Sequence, residues 1–135
     1  YQEKILPIRK YIESEIVKNN IGNILAQEVN RIPNTINVQL NQLKAETVIK
    51  KLQHRIGIST GSACSSADPQ PSHVLLAMGL TKEQSHHSIR ISLGMMNSMA
   101  DAREFWEKLN KALLTFFIFQ CQLQSCKISQ AGRND

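Results

Sequence analysis

The segment Thr35-Ile-Asn-Val-Gln-Leu40 decides the fold, because its apolar and polar residues alternate strictly. Successive side chains of a strand point to opposite faces of a sheet, so this segment has one apolar face and one polar face. The segment Ser88-Ile-Arg-Ile-Ser-Leu93 repeats the alternation, and Gly57-Ile-Ser59 forms a shorter strand. The sequence therefore predicts a sheet with one buried face, and it places Arg90 on the opposite face.

Apolar residues recur at helical spacing on both sides of these strands. The predicted helices cover residues 3–19, 45–53 and 73–78, and a last helix begins after Ser98. Pro7 should lie in the first turn, because a proline further inside a helix removes a backbone hydrogen bond. Ser72 and Ser98 are expected to cap the helices that follow them, and Gly79 to end the short one.

These elements predict a small α/β sandwich, in which a mainly antiparallel sheet has helices packed on one face. The strands are too short and too few for a doubly wound parallel sheet. The core is expected to contain Ile12, Ile16, Ile36, Val38, Val48, Leu52, Ile89, Ile91, Phe105 and Leu109. Near the end of the chain, apolar residues from Phe117 to Leu123 alternate with glutamines, which indicates an edge strand or a loose tail.

The composition is that of one soluble domain, since 41% of the 135 residues are hydrophobic and 20% are charged. The net charge of +5 is dispersed, apart from a basic group at Lys50, Lys51, His54 and Arg55. That group is either a solvated helix face or a docking patch for an acidic protein. Only 5% of residues are aromatic, and none interleaves with the basic group, so nucleic acid is not expected as a partner.

The location of the protein is also constrained by the sequence. No run of eighteen apolar residues exists, so no membrane span or membrane partner is expected. Three cysteines without tight spacing do not form a disulfide framework. A reducing compartment follows, meaning the cytoplasm or an organelle matrix, rather than secretion. The first residue, Tyr1, starts within a helical pattern and indicates a piece of a longer protein.

The regular pattern breaks between residues 60 and 72, which read Thr-Gly-Ser-Ala-Cys-Ser-Ser-Ala-Asp-Pro-Gln-Pro-Ser. Small residues and prolines over this length predict a mobile loop. Glycine, serine and alanine on both sides leave the thiol of Cys64 accessible, and sulfur nucleophiles must be exposed thiolates. The alternative is that Cys64 is buried as a small hydrophobic residue, which is common for free cysteine.

Four segments, in this order along the chain, resemble the small C-terminal domain of cysteine desulfurases of the long-loop branch. They are Arg31-Ile-Pro-Asn-Thr-Ile-Asn37, Gly57-Ile-Ser-Thr-Gly-Ser-Ala-Cys-Ser-Ser66, Pro71-Ser-His-Val-Leu-Leu-Ala-Met-Gly79 and His86-His-Ser-Ile-Arg-Ile-Ser-Leu-Gly94. The resemblance covers residues 1–115, which we take as the domain, and residues 116–135 as an unmatched tail. Met95 and Gln70 depart from the family, where arginine and glutamate are usual.

By this resemblance, Cys64 takes the sulfur of L-cysteine as a persulfide and alanine is released, for iron–sulfur cluster assembly or other sulfur biosynthesis. Arg90 would bind the substrate carboxylate, a task that suits its planar fork, with a surface ion pair as the alternative. The resemblance also implies a sulfur-acceptor or scaffold protein as a partner, and a homodimer at full length.

The cofactor of the family is pyridoxal phosphate, whose Schiff-base lysine follows a histidine in the large domain. None of the ten lysines of this chain follows a histidine, so the missing large domain would bind the cofactor. The isolated chain is therefore expected to be inactive. The alternatives are a stand-alone persulfide carrier or binding module, and an inactive remnant.

Two adjacent histidines, His86 and His87, precede the strand of Arg90, and His86 occupies the position of a family histidine. Taken as strand neighbours, they point to opposite faces and cannot serve one site. No metal site is expected. His73 is interpreted as a packing or capping residue, and Cys121 and Cys126 are assigned no function.

Overall fold

A computed structural model describes residues 2–52, 58–60 and 70–131 of the chain. Within these residues the elements, in chain order, are α1 (Gln2–Lys18), β1 (Gly22–Ile24), β2 (Thr35–Leu40), α2 (Ala45–Leu52), β3 (Ile58–Thr60), α3 (His73–Ala77), α4 (Lys82–His86), β4 (Ser88–Ser92) and α5 (Met99–Ala131). Every element predicted from periodicity before residue 116 is present, with bounds that differ by a residue or two.

The four strands form one antiparallel sheet in the order β1-β2-β4-β3. Its centre is the pairing of β2 with β4, which places Ile36 opposite Ile91 and Val38 opposite Ile89. All four side chains are buried. The two alternating segments therefore share one apolar face, which fixes their register, because a slip of one residue would expose every apolar side chain.

Helices α1, α2 and α5 cover this apolar face and contribute to a single hydrophobic core. All ten residues predicted to form the core are buried. On α5 the buried stripe consists of Ala102, Phe105, Trp106, Leu109 and Leu113. The fold class is thus confirmed as a small α/β structure with an antiparallel sheet and helices on one face.

The start of α1 differs from the prediction. Pro7 lies in the second turn of the helix that begins at Gln2, and it removes the hydrogen bond that the carbonyl of Glu3 would otherwise accept. Ile5 and Ile8, on either side of Pro7, are buried in the core. Most of a helix's stability in a protein comes from packing its apolar face, and that packing outweighs the lost bond.

The end of the chain also differs. The expected edge strand or loose tail is wrong, because α5 continues as one helix to Ala131. The alternation of glutamines with apolar residues had suggested a strand, but a period of two over a few residues is weak beside the helical stripe that precedes it. The assignment of residues 116–135 to a separate tail stays a prediction.

Two short elements were not anticipated from the sequence. In strand β1, Gly22 lies so near the backbone of Gln39 that a Cβ would collide with the carbonyl oxygen. Helix α4 begins with a capping box, in which the Thr81 hydroxyl accepts from the Gln84 N–H and the Gln84 side chain accepts from the Thr81 N–H.

The predicted caps behave differently from one another. Ser72 stands at the N-cap of α3, but its side chain forms no capping hydrogen bond. Gly79 ends the same helix in a left-handed conformation, with φ at +90°, as expected for a C-terminal glycine. The cap of α5 is complete, because the Ser98 hydroxyl oxygen accepts from the backbone N–H of Asp101 (3.3 Å) and Asp101 Oδ2 accepts from the backbone N–H of Ser98 (2.7 Å).

We expect Leu109→Ala to lower the free energy of unfolding by about 2–5 kcal/mol, because the leucine is fully buried in the hydrophobic core. Leu114→Ala is the matched control on the same helix, since Leu114 is 54% exposed and its truncation should change stability by less than about 1 kcal/mol. Urea denaturation of both variants measures the difference. Equal losses would contradict the placement of the core.

We expect Ser98→Ala to raise the pKa of Asp101 part of the way back toward its ordinary value of 3.8. The backbone N–H of Ser98 lowers this pKa most, and the hydroxyl contributes next. Because the pKa is lowered on folding, the stabilisation is present above that ordinary value and is lost as the pH falls below it. An NMR titration of the carboxyl carbon tests this. Ser14→Ala, whose hydroxyl bonds only the carbonyl of Tyr11, is the control and should leave the Asp101 pKa unchanged.

Candidate functional site

The face of the sheet opposite the core carries the candidate site. The side chains there are Asn23, Thr35, Asn37, Gln39, Ser59, Arg90 and Ser92, and all are polar. Among the strand residues that the structure describes, Arg90 alone carries a charge. A single cation surrounded by neutral hydrogen-bonding groups is an arrangement that suits the binding of one carboxylate.

Arg90 lies on the central strand β4, with Asn37 of β2 on one side and Ser59 of β3 on the other. Its side chain is exposed, whereas Asn37 and Ser59 are half-buried. Arg90 forms no ion pair with any residue in the described ranges, so the surface ion pair considered as its alternative role is not observed there. The rigid pairing of three strands holds the base of this side chain in place.

The nucleophile predicted from the sequence, Cys64, lies outside the described residues, as does most of the expected loop. Its distance from Arg90 is nevertheless bounded by the covalent chain. Ser59 is directly opposite Arg90, at a Cα separation of about 4.5–5.5 Å in an antiparallel pair. Cys64 follows Ser59 by five residues, which can span at most about 18 Å. The covalent chain therefore keeps the Cα of Cys64 within about 23 Å of the Cα of Arg90.

The two adjacent histidines are placed differently from the prediction. His86 is the last residue of α4, and His87 is the C-cap residue of that helix, so neither lies on β4. The argument that strand geometry sends them to opposite faces is therefore wrong. Both are half-buried, and His87 contributes its carbonyl oxygen to the backbone N–H of Leu40 at 2.9 Å.

The remaining candidates among the described residues are not drawn into a metal site. No group of three histidine, cysteine, aspartate or glutamate side chains there is arranged to hold a metal ion. His73 is exposed at the first position of α3. Lys50 and Lys51, at the end of α2, are exposed, which both interpretations of the basic group predict, while His54 and Arg55 lie outside the described ranges.

Comparison with known proteins identifies the family. The sequence profile of the family "Aminotransferase class-V" matches residues 2–105. The chain belongs to the aminotransferase class-V family. Among its curated relatives, cysteine desulfurase IscS 1 of Archaeoglobus fulgidus is 35% identical over 103 residues, which are 76% of this chain and 27% of that protein.

Cysteine desulfurase IscS of Clostridium botulinum strain Hall is 43% identical over 84 residues, covering 62% of this chain and 21% of that protein. A solved structure, a NifS-like protein from Rickettsia africae, superposes with a TM-score of 0.70 at 30% identity over 83% of this chain and 29% of that chain. These findings confirm the resemblance to cysteine desulfurases. The chain spans about a quarter of the length of the relatives it matches.

Sequence reasoning missed Asn37 and Ser59 as members of the site. The signal that could have found them was the shared polar face of the alternating strands, since strand partners of Arg90 must lie beside it. Without the register, the sequence could not say which polar residue of β2 is opposite the arginine.

In the described part of the chain, no helix is both long and apolar enough to cross a membrane.

We expect Arg90→Ala to change the free energy of unfolding by no more than about 0.5 kcal/mol, because the side chain is exposed and has no ionic partner among the described residues. Ile89→Ala, one position earlier on the same strand, should cost about 2–5 kcal/mol, because Ile89 is buried in the core. Thermal or urea denaturation of the two variants checks this. A large loss for Arg90→Ala would assign the arginine a structural role instead of a binding role.

Proposed function

We propose that this chain is the C-terminal part of a pyridoxal-phosphate-dependent cysteine desulfurase, in which it supplies the sulfur-accepting thiol and the substrate-binding arginine. The observation that carries the proposal is the register of β3 and β4. It puts Arg90, the one charged strand residue of the described sheet, opposite Ser59, from which the chain leads within five residues to Cys64. The family match and the names of the relatives support the same activity.

In this proposal Arg90 binds the carboxylate of L-cysteine through two parallel N–H···O hydrogen bonds. Asn37 and Ser59, on either side, contribute neutral donors and acceptors that orient the bound amino acid. A lysine in the place of Arg90 would retain the charge but lose the planar fork. Orientation matters because the substrate sulfur must be presented to the thiol of Cys64 rather than to water.

Cys64, as the thiolate, attacks the substrate sulfur. An S–S bond forms at Cys64 while the bond between the sulfur and Cβ of the substrate breaks, and the carbon gains a proton, so that alanine leaves and Cys64 holds a persulfide. The persulfide then passes its outer sulfur to a thiolate of an acceptor protein by the same type of exchange. Cys64 must reach first the substrate and then the acceptor, and the glycine and small residues beside it in the sequence offer little steric hindrance to either.

The described residues do not fit the cofactor itself. None of the residues in the four strands is a lysine, so the polar face of the sheet has no amine that could bind an aldehyde. When bound, pyridoxal phosphate would supply the electron sink for the substrate carbon, and the rest of a longer protein would hold it. In this proposal the chain binds and orients the substrate through Arg90 and accepts the sulfur through Cys64.

The test is a chimera in which this chain replaces the matching segment of cysteine desulfurase IscS 1 of Archaeoglobus fulgidus. We expect the chimera to release alanine from L-cysteine and to carry the extra sulfur on Cys64. Cys64→Ser should abolish the persulfide, whereas Cys126→Ser should leave it unchanged. Arg90→Ala should raise KM for L-cysteine by about 100-fold, on the scale of a charge-assisted bidentate contact, with partial recovery in Arg90→Lys.

Mass spectrometry of the chimera after turnover locates the sulfur. Sulfur on Cys121 or Cys126 with Cys64 unmodified would overturn the assignment of the nucleophile. An unchanged KM in Arg90→Ala would overturn the assignment of the substrate-binding residue. The isolated 135-residue chain, given the same substrate, should release neither alanine nor sulfide; release by that chain alone would contradict the dependence on a further domain.

A further inference from the structure

A groove of about 550 Å³ runs along α1, on positions of the helix that do not belong to the core. Its lining consists of Arg9, Lys10, Glu13, Ser14, Val17 and Lys18 of α1, with Gln27 and Arg31 of the segment between β1 and β2. None of these residues belongs to β3, β4 or the segment around Cys64. The groove is therefore distinct from the site proposed above, and it raises a separate question of function.

The groove carries an excess of positive charge. Glu13 is its one carboxylate, and that group is already engaged, with Oε1 at 2.8 Å from Nη2 of Arg31 and 3.7 Å from Nε of Arg9. Lys10 and Lys18 are exposed and form no ion pair with the part of the chain that the structure describes. Two free cations therefore remain, one toward each end of the groove.

Arg9 adds to the positive charge of the groove. Its Nη1 donates to the carbonyl of Ile32 at 3.1 Å, which holds the guanidinium in place. Its Nε is buried, 3.7 Å from Oε1 of Glu13, and has no hydrogen-bond acceptor among the described atoms. Because this atom is buried, a ligand in the groove meets the charge of the guanidinium rather than this donor.

The length of the groove restricts the ligand. Lys10 and Lys18 are eight residues apart on one helix, which places them about 12 Å apart along its axis. Two separate negative charges match this spacing better than a single phosphate or carboxylate does. An extended peptide covers about 13 Å in four residues, so carboxylates four positions apart match the two lysines. The exposed side chain of Val17, next to Lys18, offers a contact for an apolar residue of the same peptide.

We propose that this groove binds an extended acidic segment of a partner protein. Its carboxylates contact Lys10 and Lys18, and an apolar side chain near the carboxylate at Lys18 packs on Val17. Single-stranded nucleic acid also carries spaced negative charges, but no aromatic residue lines the groove, and such proteins bind bases by stacking on aromatic rings. The proposal does not depend on the sulfur transfer, because it uses none of the residues assigned to that activity.

The experiment measures binding of a fluorescein-labelled peptide, with glutamates four positions apart and valines between them, to the 135-residue chain by fluorescence anisotropy. We expect binding that weakens as salt is added, because the contacts are between exposed charges. The double variant Lys10→Glu and Lys18→Glu should weaken binding at least tenfold. The control Lys82→Glu and Lys111→Glu makes the same change of net charge at exposed lysines outside the groove and should weaken it less than twofold.

Circular dichroism establishes that both double variants fold, and Lys10→Gln with Lys18→Gln replaces the first pair if charge reversal prevents folding. Equal weakening by the two double variants would overturn the proposal, since it would show attraction to net charge alone. The absence of peptide binding, or displacement of the peptide by a lower concentration of an oligothymidylate, would overturn it as well. A peptide with the same glutamates placed on adjacent positions should bind several-fold more weakly, because it cannot reach both lysines.

Discussion

The pairing of β2 with β4 is the contact on which the rest of the structure depends. It brings the apolar faces of two alternating segments into one layer, with Ile36 opposite Ile91 and Val38 opposite Ile89. Three helices then have a surface on which to bury their own apolar stripes. The same pairing turns the polar residues outward, so the core and the candidate site lie on opposite faces of the same strands. A change in the register of these strands would therefore displace the residues of both.

The sequence was sufficient for the elements that this alternation and helical periodicity define. The ten core positions and the outward orientation of Arg90 followed from spacing alone. Two short elements were missed for different reasons. Strand β1 depends on a tertiary contact, because Gly22 lets its backbone approach Gln39. Helix α4 depends on a local capping box, which a search for periodicity does not detect. The helical continuation of α5 was misjudged because a short glutamine alternation imitates a strand.

The site was predicted in part, for a similar reason. Arg90 was found because a motif and a strand pattern coincide on it, whereas Asn37 and Ser59 become neighbours only through the register of three strands. The histidines were assigned to the wrong kind of element, since nothing in two adjacent letters distinguishes a helix end from a strand start. The neighbours of Arg90 come from segments far apart in the chain, and a single sequence does not show which distant segments pair.

The two outer strands of the described sheet, β1 and β3, each consist of three residues. An edge strand has unpaired backbone N–H and C=O groups to which another chain can hydrogen-bond, and a short edge strand has few of them. The sheet thus combines an open, polar, ligand-accessible face with edges that resist growth into a larger sheet. In a domain built this way, a second copy of the chain gains few backbone hydrogen bonds at either edge, while the polar face stays free of strand pairing.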